Sequence, residues 1–229
     1  MKTIGIIGGL GPETTSEFYL DLVFSCLKKD KTKRPPIIIS SVPLPYKIEE
    51  DLILKNQGAE RYIPFLIREA ERLEKSGADF LVMPCNSLHV FIENIRNSVK
   101  IPVLSIVEET VKFMKKNNFK KVGIVSTSAT IKNKLYENAF KENNISYEIP
   151  DDLQQEKMGQ FIHNLVMGQQ RTKDREELIE IIDAFESKQV DCVALACTDL
   201  QLLIPKHPNL KIFDTMKILV NSSVDMMIL

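Results

Sequence analysis

Two stretches of this chain carry one pattern. Ala78-Asp79-Phe80-Leu81-Val82-Met83-Pro84-Cys85-Asn86-Ser87-Leu88 aligns without a gap on Val190-Asp191-Cys192-Val193-Ala194-Leu195-Ala196-Cys197-Thr198-Asp199-Leu200. An aspartate, a cysteine and a leucine coincide, and Ile92 then falls on Ile204. Upstream, Ile4-Gly5-Ile6-Ile7 with its loop resembles Val122-Gly123-Ile124-Val125 with its own. Downstream, Ile101-Pro102-Val103-Leu104-Ser105 falls on Leu210-Lys211-Ile212-Phe213-Asp214. Matches in the same order in both halves indicate an internal duplication. The fold must therefore make one unit twice.

The unit is α/β. Strand-like runs occur at Lys2–Gly8, Pro36–Ser41, Phe80–Pro84, Val103–Ile106, Lys121–Ser126, Ile145–Ile149, Cys192–Ala196 and Lys211–Phe213. Several are nearly continuous Ile, Val and Leu, as strands buried on both faces should be. Helix-period segments lie between them: Phe18-Tyr19, Leu22-Val23, Cys26-Leu27; Tyr62-Ile63, Leu66-Ile67, Ala70, Leu73; and Leu178, Ile181-Ile182, Phe185. Alternation of this kind predicts parallel sheets covered by helices. We expect two pseudo-symmetric lobes, each a mostly parallel sheet flanked by helices, with an active site in the cleft between them. The repeat places the first lobe at 1–105 with a returning C-terminal helix in 210–229, and the second at 106–209. Residues 43–60 show no clear period and read as a binding loop or lid.

Composition narrows the function. A length of 229 residues at roughly 150 residues per domain gives about 1.5 domains, which the repeat resolves as two small lobes. Apolar residues make up 44% and charged residues 27%, with a net charge of -1. A near-neutral chain lacks the electrostatic footprint of a nucleic-acid binder. The Lys-rich segment Lys28-Lys29-Asp30-Lys31-Thr32-Lys33-Arg34 reads as a solvated helix end. No apolar run reaches the roughly 20 residues of a membrane span, and the N-terminus reads as a strand rather than a signal peptide. The expected setting is the cytoplasm. There, four cysteines are not a disulfide framework.

Two of the four have packing explanations: Cys26 lies on a helix stripe and Cys192 inside a strand. Cys85 and Cys197 occupy equivalent positions, each after a strand and before a helix. Ligands bind at that end of a parallel sheet. A helix N-terminus there would hold a thiolate below the roughly 8.5 of free cysteine. Lobes related by an approximate two-fold would bring the two sulfurs face to face. One thiolate could then take a proton from one face of a carbon while the other thiol returns one to the opposite face. Such a reaction inverts configuration and needs neither metal nor organic cofactor. A dithiol redox or ligand-binding protein is the rival of another class, although no C-x-x-C is present. Zinc held by Cys85, His89 and Cys197 lacks a clear fourth ligand. The glycine loop Gly5-x-x-Gly8-Gly9-x-Gly11 is followed by no Gly-Lys-Ser/Thr, and Thr14 replaces the third glycine of a dinucleotide fingerprint. No G-x-S-x-G elbow occurs.

The residues at these loops resemble those of the aspartate/glutamate racemases that work without pyridoxal phosphate, in particular the aspartate racemase branch. Gly8-Gly9-Leu10-Gly11-Pro12-Glu13-Thr14-Thr15 is similar to G-G-x-G-P-x-[AS]-T. Cys85-Asn86-Ser87-Leu88-His89 is similar to C-N-T-A-H, and Ala196-Cys197-Thr198-Asp199 to G-C-T-E. Asp199 is acidic where the glutamate racemase branch carries His. The Ile101-Pro102 step and Phe213-Asp214-Thr215 also fit.

The resemblance implies a homodimer and cofactor-free racemisation of an acidic amino acid, aspartate first, with Cys85 and Cys197 as the acid/base pair. Racemisation of another amino acid, or isomerisation of a dicarboxylate by the same thiols, is the near alternative. Asn86, Ser87 and Thr198 would offer donors to the substrate carboxylate. Thr14, Thr15, Thr127 and Thr130 would bond it or cap helices. Lys47, in Pro45-Tyr46-Lys47, stands where the family carries a gripping arginine. Arg171 or Lys173 would supply the second cation. His89, if protonated, would support the Cys85 thiolate, and Asp199 would orient an ammonium or a neighbouring side chain.

Overall fold

Each of the eight apolar runs forms a strand in the computed structural model, which describes residues 1–55, 57–166, 169, 171–203 and 206–229. Ile204, the repeat partner of Ile92, lies outside the described residues. Chain order is β1 (Ile4–Gly8), α1 (Pro12–Lys29), β2 (Ile37–Ser41), α2 (Tyr46–Lys55), α3 (Ile63–Lys75), β3 (Phe80–Val82), α4 (Ile92–Arg96), β4 (Val103–Leu104) and α5 (Ile106–Lys116). It continues with β5 (Lys121–Ser126), α6 (Ser128–Lys132), α7 (Leu135–Glu142), β6 (Ser146–Glu148), α8 (Asp152–Val166), α9 (Thr172–Ser187), β7 (Cys192–Ala196), β8 (Lys211–Asp214) and α10 (Thr215–Ile228).

The strands make two four-stranded sheets, ordered β2-β1-β3-β4 and β6-β5-β7-β8. All pairings are parallel. The chain divides into two compact units, Met1–Glu109 with Met216–Leu229, and Thr110–Thr215. It enters the second unit within α5 and leaves it at the start of α10. Tyr136 is fully buried and its hydroxyl bonds both Thr110 and Thr215, the first and last residues of that unit. In the first unit, the Lys2 N–H donates to Met227 O at 2.8 Å and Lys217 pairs with Asp21 at 2.7 Å, tying α10 to the N-terminal lobe.

Burial follows the order of the strands. β1, β3 and β7 are wholly buried, β5 nearly so, and the flanking β2 and β6 are partly exposed. The first core gathers Ile7, Leu66, Leu73, Leu81 and Met83 under α3. The second gathers Val125, Phe161, Leu178, Ile182, Phe185 and Leu195 under α8 and α9.

The repeated residues do matching jobs. The Asp79 carboxylate accepts the Thr3 N–H at 2.6 Å, and the Asp79 N–H donates back to Thr3 O. The Asp191 carboxylate accepts the Lys120 and Lys121 N–H groups at 2.6 and 2.8 Å, and its N–H donates to Lys121 O. Both aspartates thus set the start of the third strand against the start of the first. A Cβ on Gly5 would lie 2.6 Å from Leu81 Cδ2 and 2.9 Å from Ala78 Cβ. One on Gly123 would meet the Phe185 ring at 3.0 Å. In each lobe the missing side chain lets a covering element approach the central strand.

Residues 43–60 are not a structureless loop. They include α2, and a 3-10 turn begins at Ala59. Ile48 and Leu52, one turn apart, pack half-buried on the first core. A single apolar pair on a short helix carries too little period to be read from sequence.

Gly5→Ala is expected to overpack the β1–α3 contact and lower stability by about 1–3 kcal/mol, a fall in Tm of roughly 2–12 °C for a chain of this size. Thermal unfolding followed by far-UV circular dichroism measures it. An unchanged Tm would contradict the close-approach account.

Candidate active site

Where the strand order reverses, between the first and third strands of each sheet, two loops leave adjacent strand ends. That gap is where open parallel sheets bind ligands. In the N-terminal lobe the loops are Gly8–Gly11 and the segment around Cys85. In the second lobe they are Ser126–Thr130 and the segment around Cys197.

The glycine loop is held shut on itself. Gly9 has φ +77° and a Cβ there would sit 2.5 Å from Ser41 Oγ. The Gly9 N–H donates to Thr15 Oγ1 at 2.9 Å, and that hydroxyl donates to Gly11 O at 2.9 Å. Thr14 beside it is buried. In the second lobe Thr127 caps α6: its Oγ1 accepts the Thr130 N–H at 3.2 Å and lies 3.0 Å from the Thr130 hydroxyl. Thr15, Thr127 and Thr130 thus brace loops; their hydroxyls already hold chain partners.

Both cysteines follow a central strand, and both precede a 3-10 turn, Ser87–Phe91 or Thr198–Leu203, rather than a long α-helix. This corrects the expectation of a macrodipole behind each sulfur. The local N–H groups of the turn remain, but a helix of several turns does not stand there. The residue two places on reaches back in each case. Cys85 Sγ lies 3.7 Å from Ser87 Oγ, and Cys197 Sγ donates to Asp199 Oδ2 at 3.7 Å. Asn86 and Thr198 are buried at the turn starts, and the equivalent Leu88 and Leu200 anchor the turns in the cores. Cys85 is partly exposed and Cys197 is buried. None of the four cysteines is in a disulfide. Cys26 and Cys192 are fully buried, and burial raises both thiols, Cys192 to about 12 with Asp191 adding to the shift.

His89 is not a cation beside Cys85. It is buried; Nδ1 faces Cys85 O at 2.6 Å and Nε2 accepts the Ile106 N–H at 3.0 Å. Only the neutral Nδ1–H tautomer satisfies both contacts. Burial lowers its pKa to about 4, with the Arg96 charge acting the same way. His89 therefore locks the Cys85 backbone to the start of α5. Its ring nitrogens are engaged, which also removes it as a zinc ligand.

The expected cations are engaged too. Lys47 is on α2, 61% exposed, and pairs with Glu50 at 3.2 Å and Asp51 at 2.9 Å. Arg171 caps α9 by binding the buried Asp174 at 2.6 and 3.0 Å. Lys173 pairs with Glu177 at 3.2 Å. Tyr62, which periodicity marked only as a core position, interacts electrostatically with Cys85 and with Glu49. Burial first, then those groups, push its ionisation above the ordinary phenol value. It ends the 3-10 turn just before α3, and no sequence signal beyond its apolar period singles it out. The Phe213-Asp214-Thr215 motif has a structural use, since Thr215 Oγ1 donates to Leu195 O at 2.9 Å.

The chain matches the model of the Asp/Glu/Hydantoin racemase family over residues 7–223, and it belongs to that family. It is thereby an isomerase, of the amino-acid racemase class. It is 29% identical over 226 residues to the broad specificity amino-acid racemase RacX of Bacillus subtilis (strain 168), covering 96% of each chain. Its fold superposes on an aspartate racemase homologue from Pyrococcus horikoshii OT3 with TM-score 0.81 and 25% identity, over 100% of both chains. It superposes on the Picrophilus torridus aspartate racemase with TM-score 0.79 and 24% identity, over 98% of this chain and 95% of that one. Among the described residues no helix is long and apolar enough to cross a membrane.

Two measurements follow from this geometry. Brief iodoacetamide treatment of native protein should label Cys85 first, Cys197 more slowly and Cys26 and Cys192 not at all. Peptide mass mapping reads the order, and equal labelling of Cys192 and Cys85 would contradict it. Because His89 is neutral when folded and gains a proton readily when unfolded, its burial favours the native state above about pH 6.5. That advantage is lost as pH falls towards about 4. Urea unfolding of His89→Gln should show a flatter pH dependence than the parent over this window; identical profiles would exclude the assignment.

Proposed function

We propose that the chain interconverts the L- and D-forms of an acidic amino acid, aspartate first, by proton transfer between Cα and the Cys85 and Cys197 thiols, without a cofactor. The observation that carries this reading is the pairing of two thiols at equivalent strand ends, each with a polar side chain two residues on. A thiolate takes the proton from Cα–H, and the electron pair passes into the adjacent carboxylate. The other thiol then gives its proton to the opposite face of Cα. The enzyme ends with its protonation swapped, ready for the reverse enantiomer. The reading requires both thiols to serve one bound substrate, with Asn86, Ser87 and Thr198 and the turn N–H groups stabilising the carboxylate as its charge grows.

The neighbours assign resting roles. A hydroxyl beside Cys85 can donate to a thiolate, so Cys85 rests as the base. A carboxylate beside Cys197 accepts from its thiol, so Cys197 rests as the acid, and Asp199 positions it. His89 positions Cys85 through its backbone. Thr14, Thr15, Thr127 and Thr130 shape the two loops. The enzyme acts as a homodimer in the cytoplasm, where reducing conditions keep both thiols available.

A second reading concerns the substrate range. Lys47 and Arg171 are each held by carboxylates of their own helices. Cations engaged in this way give less grip on an acidic side chain, and a relative of this chain bears the name broad specificity racemase. A panel of D- and L-amino acids followed by polarimetric circular dichroism separates the two: turnover confined to aspartate supports the first, and turnover of neutral amino acids the second.

In deuterated water, Cys85→Ala and Cys197→Ala should each abolish racemisation. Each should also retain Cα exchange of one enantiomer only, opposite in the two variants. Wild-type turnover in either variant would sink the two-thiol mechanism. A wild type inert to every amino acid that forms a reversible disulfide between Cys85 and Cys197 would favour the redox protein instead.

A further inference from the structure

Helix α1 carries two apolar stripes, and its own lobe covers only one. Phe18, Leu22, Val23 and Cys26 are buried. On the outer side Leu20, Phe24 and Leu27, spaced i, i+4, i+7, are 46%, 55% and 49% exposed. Scattered exposed apolar residues need no explanation, but three on one helix face mark an interaction surface. A helix on a sheet requires one stripe.

The charges around the patch identify its occupant. Continued at the same spacing towards the N-terminus, the outer stripe runs through Glu17 to Glu13; past Leu27 it reaches Lys28 and Lys31. Its order is acidic, apolar, basic. Under a two-fold axis near Phe24, an antiparallel copy brings Leu20 beside Leu27 and Lys28, and Glu17 to the Lys28–Lys31 segment at the end of α1. A parallel copy would set like charges together. Among the described residues Glu17 and Lys28 have no ion-pair partner within the chain. Their neighbours are engaged: Asp21 with Lys217, and Lys29 with Asp225. A patch complementary to itself is what an isologous dimer needs.

We propose that the outer face of α1 is a homodimer interface, packing antiparallel against α1 of a second copy of this chain. This rests on the homodimer reading given above and adds the surface to it. Core contacts come from Leu20, Phe24 and Leu27, and the charged ends set the direction.

Sedimentation equilibrium across a concentration series tests it. The wild type should show twice the chain's mass and Phe24→Glu once, with unchanged far-UV circular dichroism because Phe24 is outside the core. Glu17→Lys should weaken the dimer, and adding Lys28→Glu and Lys31→Glu should restore it; rescue of this kind cannot come from misfolding. Under mild oxidation Phe24→Cys should cross-link into a disulfide dimer, whereas Tyr46→Cys, on the exposed start of α2, should not. A wild type monomeric at every concentration would overturn the homodimer reading together with the proposal and leave the face to another partner. A dimer indifferent to Phe24→Glu would overturn the assigned surface alone.

Discussion

The parallel pairing of the first strand of each lobe with the third is the constraint on which the rest depends. In both sheets the chain leaves the first strand to one side, builds the second, and returns across to the other side for the third. The loops after the first and third strands therefore diverge and leave a gap at their shared end. The pairing asks for central strands buried on both faces, which Ile4-Gly5-Ile6-Ile7 and Val122-Gly123-Ile124-Val125 provide. It also asks for a fixed stagger. Asp79 and Asp191 supply that by binding the N–H groups at the mouth of the neighbouring strand. A slip of one residue would turn every buried side chain to the opposite face. Cys85 and Cys197 stand at their strand ends because five residues separate each from that aspartate.

Duplication explains the matching positions of the two cysteines; divergence after duplication gives them different neighbours. The aspartates, the glycines under α3 and under Phe185 and the leucines in the turns kept their jobs. Two places beyond each cysteine the lobes differ, Ser87 in one and Asp199 in the other. A donor beside one sulfur and a carboxylate beside the second gives two like thiols unlike resting states. The proposed racemisation uses that difference, taking a proton at one thiol and giving one from the other.

Much of this was legible because it is periodic or repeated. Continuous apolar runs located all eight strands, and the gap-free match between the halves exposed the equivalent cysteines. The missed features depend on contacts that no local pattern encodes. His89 reads as a possible cation until the Ile106 N–H, arriving from the element after β4, occupies its second nitrogen. Tyr62 is one of several apolar positions in its helix until the fold brings it near Cys85. The turns after the cysteines look like helix starts because a 3-10 turn and an α-helix share first-turn residue types. The cations are a different case. Lys47 with Glu50 and Asp51, and Arg171 with Asp174, stand at spacings that pair on a helix. Those spacings are readable in the sequence.

That pairing bears on how an amino acid is held. With a net charge of -1 the overall field of the protein draws no anion, so attraction must be local. Lys47, Arg171 and Lys173 are each balanced by a carboxylate three or four residues along. The turns that follow the two cysteines offer N–H groups and the short side chains of Asn86, Ser87 and Thr198. Such donors suit the α-carboxylate, the part of the substrate that takes up charge when Cα loses its proton and the part that every amino acid shares. A site built this way invests its recognition in the reacting end. In the proposed racemisation the choice among side chains is then a question of space and not of charge.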